Sequence, residues 1–255
     1  MTDTRPFEPA FRPRPFAVCH LLALLLLATW VWEPTRLFWD RFDDQIFFLL
    51  NGSLESEAWK AFWAVASLRP MDVVTGLVML LLVIRRDWAF DARSAWQAVF
   101  GFCALVLLLL IIREGFAAAV TLLGWQRPSP SLVFEDAVRL SELFPDWEVK
   151  DSSNHSFPGD HAAVALLWSL FLSLFVRGHR LLIVWTLAAL FMMPRLVAGA
   201  HWSSDDFVGG LTVALLTLAW GFYTPFAARV GGWLHRRAQP LLAPMTRQSP
   251  FAGPQ

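Results

Sequence analysis

Cysteine, tyrosine and uncompensated charge are scarce in this 255-residue chain, which holds two cysteines, one tyrosine, and 21 basic side chains against 21 acidic ones. Cys19 and Cys103 both lie inside apolar runs. That placement excludes a disulfide framework, a cysteine-based zinc site and a catalytic thiol. No internal repeat is present, so a solenoid or array is excluded. The centres of the apolar runs, such as 104–110 and 211–218, carry no ionisable residue. A carrier or flippase for lipid phosphates would place such groups near the bilayer midplane, so that class is disfavoured. No nucleic-acid partner and no cofactor are expected.

What the chain does have is apolar surface. Hydrophobic residues make up 56% of it, well above the share in a soluble domain. They fall into runs at 16–32, 73–84, 96–112, 162–176, 181–193 and 207–223. The first, third and sixth are nearly long enough to span a bilayer as they stand, and flanking residues complete the others. The expected fold is therefore all-α, an integral membrane bundle of about six transmembrane helices. Its divisions are a cytoplasmic segment 1–15, a membrane domain 16–228 and a cytoplasmic tail 229–255, loose from 239 onward. The first run has the charged front of a signal peptide without a small-residue cleavage site, so it reads as an uncleaved anchor.

Charge sets the orientation. With the N-terminus in the cytoplasm, Arg5, Arg12, Arg14, Arg85, Arg86, Arg93, Arg177, Arg180, Arg229, Arg236, Arg237 and Arg247 share that side, as the positive-inside rule requires. Both termini are then cytoplasmic. The loops 33–72 and 113–160 face the opposite side, together with every candidate catalytic residue. Within 33–72, residues 59–68 read as an amphipathic helix along the outer leaflet.

The chemistry is concentrated in 195–205, Arg-Leu-Val-Ala-Gly-Ala-His-Trp-Ser-Ser-Asp. Guanidinium groups hold phosphate oxygens bidentately, which suits Arg195 and Arg127 as clamps. A neutral imidazole carries a lone pair, which suits His201 as the nucleophile. Asp205, one helical turn on, can orient the other ring nitrogen, and Ser203 or Ser204 can cap the final helix. Upstream, Ser156-Phe157-Pro158-Gly159-Asp160-His161 places His161 at a helix start, positioned to protonate a leaving oxygen. Free N–H groups at that helix start would favour the phosphate. Asp160 beside it serves either as a cap or to hold His161 protonated. Together these residues point to phosphoryl transfer on a lipid.

The blocks Arg127-Pro128, Pro158-x-x-His161 and Arg195-x5-His201-x3-Asp205 resemble the type 2 phosphatidic acid phosphatase (PAP2) family, whose core is shared with vanadium haloperoxidases. The resemblance implies His201 as nucleophile, His161 as acid and base, Asp205 as orienter, and Arg127 and Arg195 as phosphate ligands. The chain departs from the family pattern in three places. Val120 stands at the motif lysine, Pro194 at a serine, and Gly159-Asp160 at Ser-Gly. Those departures, with Arg139-Leu-Ser-Glu142, Lys150-Asp151 and Asp44-Gln-Ile-Phe47, are similar to the lipid A 1-diphosphate synthase branch. Its members are inner-membrane enzymes with a periplasmic active site. The branch implies undecaprenyl pyrophosphate as donor, lipid A 1-phosphate as acceptor and a phosphohistidine between them. Hydrolysis of a lipid pyrophosphate is the alternative.

Lys150, the only lysine in the loop 113–160, is expected to replace the missing motif lysine. Ser156, Gly159, Asp160 and Arg139 complete the expected substrate-binding set. Read alone, Arg139 and Glu142 more readily form a local pair. His155, Asp160, His161, His201, Asp205 and Asp206 could also be read as metal ligands, but no compact ligand motif is present and no metal is expected.

Overall fold

The computed structural model describes residues 6–85, 87–91 and 94–247, so Arg5, Arg86, Arg93 and the last eight residues lie outside it. Eleven α-helices occur among the described residues: α1 Pro13–Val31, α2 Glu33–Asn51, α3 Glu57–Ala66, α4 Arg69–Ile84, α5 Ala95–Leu122, the single turns α6 Pro130–Val133 and α7 Leu140–Leu143, α8 Asp160–Ser173, α9 His179–Val197, α10 Leu211–Phe222 and α11 Phe226–Arg247. A π-helical turn, Asp205–Gly210, leads into α10. All six apolar runs are helical. Four spans (α1, α5, α9 and the π-turn with α10) are long and apolar enough to cross a membrane, while α4 and α8 have 16 and 14 residues.

Local chemistry explains several boundaries. Prolines sit in the first turn of α1, α2 and α4, where no intrahelical N–H is needed. The Ser56 hydroxyl caps α3 by accepting from the Trp59 N–H. Gly199, at φ +77°, adopts the left-handed conformation that ends a helix without a Cβ clash.

Two helices are central. α10 packs on α1, α5, α8 and α11, and α8 packs on α5, α9 and α10. Trp168, Phe171 and Leu172 of α8 meet Leu105 and Leu109 of α5 and Val213 and Leu218 of α10 in one buried cluster. Leu24, Leu107, Ile111, Leu182 and Leu190 face outward, as lipid-facing side chains do.

Helix polarity places the chemistry at one end. The C-termini of α1, α5 and α9 and the N-termini of α4, α8 and α10 meet there. Arg12 and Arg14 before or within the first turn of α1, Arg85 after α4, Arg177 between α8 and α9, and Arg180 in the first turn of α9 lie at the opposite end. The Arg12 N–H donates to the Tyr223 carbonyl there, tying the start of α1 to the end of α10.

Three expectations are revised. The loop expected at 113–160 begins later, because α5 runs on to Leu122 and takes Arg113 into a helix. Its alanine-rich stretch 117–119 is a strong helix former that a hydropathy boundary ignores. The loop expected at 33–72 holds α2 as well as the helix expected at 59–68, which is found as α3, Glu57–Ala66. The end expected to be loose from 239 is helical as far as 247, since α11 continues through it; earlier in the same helix Gly231 lies against Gly101 of α5.

Candidate active site

After α9 ends, Gly199 turns the chain so that His201 enters the bundle, where it is 5% exposed. A Cβ on Gly199 would stand 3.0 Å from Phe47. His201 Nδ1 lies 2.8 Å from the Ser156 carbonyl oxygen. A carbonyl only accepts, so Nδ1 carries the proton and Nε2 is the nitrogen that titrates. Nε2 is buried without a hydrogen-bond partner, 3.5 Å from Asp160 Oδ1. Burial alone would push His201 down. The carboxylates of Asp160 and Asp205 outweigh it and push the group up to about 10. Asp205 Oδ2 stands 3.6 Å from Nδ1, too far for a hydrogen bond. The orienting bond expected from Asp205 is therefore made by Ser156, through its backbone.

Asp205 instead anchors a buried network. Its Oδ2 accepts from the Trp202 N–H at 2.8 Å, and its Oδ1 accepts from Arg127 Nε and Nη2 at 3.1 and 2.7 Å. Arg127 also donates to Asp43 at 3.0 Å and to the Ser204 hydroxyl at 2.6 Å. Ser204 returns two bonds of 2.7 Å to Asp43, from its N–H and its hydroxyl. The guanidinium lies between Trp30 and Trp202, 5.5 and 5.2 Å from their ring centres. Arg127, expected on the substrate phosphate, is thus committed within the protein. Ser204 makes no capping bond to the helix that follows.

A second cluster surrounds His161. Its Nδ1 is 2.7 Å from Asp160 Oδ1 and its Nε2 is 3.0 Å from Asp72 Oδ2. Both ring nitrogens thus face carboxylates, a pairing that suits a ring able to donate from both. Asp160 Oδ1 also accepts the His161 backbone N–H at 2.9 Å, so the aspartate, the first residue of α8, meets both the backbone and the ring of His161. Arg195, 3% exposed, donates to the Ser67 carbonyl at 2.7 Å and the Lys150 carbonyl at 3.2 Å. Its Nη2 lies 3.2 Å from both Asp72 Oδ2 and His161 Nε2. Lys150 Nζ and Arg113 Nη2 approach Asp160 Oδ2 to 3.9 and 3.8 Å.

The remaining expected residues divide. The Ser156 N–H and hydroxyl both donate to the Arg127 carbonyl, so its side chain is not presented to a substrate. The Gly159 N–H donates to the Asp205 carbonyl at 2.9 Å and is not free for an anion. A Cβ there would stand 2.2 Å from Asp206 Oδ1, which explains glycine where the two histidine-bearing segments touch. Arg139 pairs with Glu142 at 2.6 Å, the local alternative, and no described contact joins it to the histidines. Val120, at the motif lysine position, is buried with Trp30, Phe157 and Val208. A lysine there would place its charge among apolar side chains.

Sequence reasoning missed Asp43, Asp72 and Arg113. Asp43 is 1% exposed; a carboxylate pair amid the phenylalanines of α2 was its signal. Asp72 had been a loop boundary before an apolar run, although Pro70 marks a helix start there. Arg113 was lost through the misplaced end of α5. Ligand atoms of Asp160, His161 and His201 lie within 4.8 Å of one another, near enough to share a metal ion.

With this geometry in place, residues 103–229 match the PAP2 superfamily. Lipid A 1-diphosphate synthase of Escherichia coli (strain K12) is 31% identical over 212 residues, which are 83% of this chain and 88% of that protein. The chain belongs to the PAP2 superfamily. The crystal structure of Aquifex aeolicus LpxE is 20% identical with a TM-score of 0.44, covering 68% of this chain and 91% of that one. As a PAP2 member the chain is a membrane enzyme that handles lipid phosphates. Its PAP2 segment contains Arg127, His161, Arg195, His201 and Asp205, while their partners Asp43, Ser67 and Asp72 lie before it.

Proposed function

We propose that this PAP2 enzyme transfers the distal phosphate of undecaprenyl pyrophosphate to the 1-phosphate of lipid A. The products are lipid A 1-diphosphate and undecaprenyl phosphate. The observation that carries the chemistry is His201, with Nδ1 held by the Ser156 carbonyl and Nε2 left without a hydrogen-bond partner. The 31% identity to a lipid A 1-diphosphate synthase supports the choice of lipids.

In the first step the donor's distal phosphate displaces Asp160 from Nε2, and His201 attacks phosphorus as neutral imidazole. The proton that must first leave Nε2 has Asp160 as its nearest acceptor. The phosphoanhydride bond breaks, His161 protonates the departing polyprenyl phosphate, and a phosphohistidine remains. Arg195 and Lys150 offset charge on the phosphoryl oxygens. In the second step a lipid A phosphate oxygen attacks the phosphohistidine and frees His201. Covalent capture brings the two anionic lipids to the site in turn rather than together. Arg127 and Asp205 act by position, holding the loop that carries His201.

The site lies at the end opposite Arg12, Arg14, Arg85, Arg177 and Arg180. The positive-inside rule makes that basic end cytoplasmic and the site periplasmic in an inner membrane.

The test uses purified enzyme and donor labelled on its distal phosphate, with lipid A added or withheld. Label should move to lipid A, with little free phosphate when the acceptor is absent. Equal release of free phosphate in both cases would make the enzyme a lipid phosphatase. His201→Ala should abolish either reaction and the trapping of label on protein; turnover by that variant would remove the nucleophile assignment.

A further inference from the structure

A groove opens beside His161 and runs along the bundle between α4, α5, α8 and α9, with a cavity volume of about 320 Å³. Its polar end carries Asp72, Arg113, Asp160 and His161; Gly76, Met79, Leu109, Leu110 and Phe191 line the apolar remainder. Its volume is at the low end for ligand pockets, about 300–1,000 Å³, so it suits one hydrocarbon chain rather than a multiply acylated lipid. His161 lines the groove and His201 does not. A chain lying there therefore approaches the acid, on the leaving-group side of the reaction.

Arg113 stands at the junction of the polar and apolar parts. It is a charged residue within the 28-residue apolar helix α5, where such groups are costly and usually functional. Its Nε is buried without a hydrogen-bond partner. Its Nη1 pairs with Glu114, and its Nη2 reaches Asp160 only at 3.8 Å. It also lies seven residues, two helical turns, before Val120 and therefore on nearly the same helix face.

We propose that this groove binds the single polyprenyl chain of the donor and that Arg113 holds the proximal phosphate, the one that departs with the chain. The inference rests on the assignment of His161 as the leaving-group acid, and it adds a subsite specific to diphosphate donors. As the phosphoanhydride bond breaks, charge grows on the leaving phosphate beside Arg113 and His161. A lipid monophosphate donor leaves as an alcohol and has no group for Arg113 to hold.

The experiment compares Arg113→Gln with wild type on a polyprenyl diphosphate and on a polyprenyl monophosphate of equal chain length. The preference of kcat/KM for diphosphate over monophosphate should fall about tenfold or more, as for a lost charge-assisted hydrogen bond. An equal loss on both donors would reduce Arg113 to a structural role, and an unchanged ratio would remove it from the subsite. A second variant, Gly76→Leu, fills the groove from α4 at a position whose added Cβ meets nothing within 4 Å. It should raise KM for a long polyprenyl diphosphate far more than for a short isoprenyl diphosphate; an equal change would place the chain elsewhere. His201→Ala is the control: if it stays active, the underlying mechanism fails, whatever Arg113 does.

Discussion

At the scale of single residues, the site is a contest for Asp160. It faces both histidines and two cations, and it is the carboxylate nearest to His201 Nε2. The raised pKa of His201 means that the free enzyme holds this ring protonated at neutral pH, and attack needs it neutral. The kcat/KM for the donor should therefore rise with pH until that proton is lost. Asp160→Asn removes a carboxylate that favours the charged ring while burial remains, so the limb should move toward neutral pH by about a unit or more. A pH–rate profile checks this, and an unmoved limb would assign the titration to another group. Motif spacing singled out His201, His161 and Arg195, because each lies beside a helix terminus. Spacing could not show that Asp205 turns toward Arg127 or that a backbone carbonyl orients His201, since both depend on where α2 and the Ser156 loop lie.

At the scale of elements, α2 is the support for the catalytic loop. Asp43 reaches from it to Arg127 and Ser204, and Asn51 at its end donates to the carbonyls of Val138 and Val197 at 3.1 and 3.0 Å. Removing one member of a buried charge network leaves the others unpaired. Asp43→Ala should cost about 3–5 kcal/mol, read as a lower melting temperature in detergent together with lost activity. Full stability would show that water or a rearranged Arg127 satisfies the network. The helices of the six apolar runs were legible from hydropathy. Helix α2, which buries only Asp43, Phe47 and Asn51, was not, because its alternating charges and phenylalanines have no long apolar run, and α5 was cut short at its first arginine.

At the scale of the whole molecule, alternating helix directions place the chemistry at one end and Arg12, Arg14, Arg85, Arg177 and Arg180 at the other. A cysteine introduced at the exposed His155 should react in intact cells with a membrane-impermeant thiol reagent, and one at Arg177 only after permeabilisation. The reverse pattern would invert the orientation. The metal question is also a property of the assembled site, because residues 160, 161 and 201 meet only in the fold. Chelator treatment of purified enzyme should leave transfer unchanged. A loss restored by one divalent cation would make these three side chains its ligands.

The sequence by itself determined the all-helical membrane architecture, because lipid demands long apolar helices and leaves them visible in hydropathy. It also singled out His201 and His161, the pair proposed to react, because they stand at spacings that few chemistries need. The tertiary structure decided the division of labour among charges. Whether an arginine meets substrate or another side chain depends on which carboxylate lies within about 3 Å, a distance no spacing along the chain specifies. Arg127 went to Asp43 and Asp205, and the open positions beside Asp160 fell to Lys150 and Arg113.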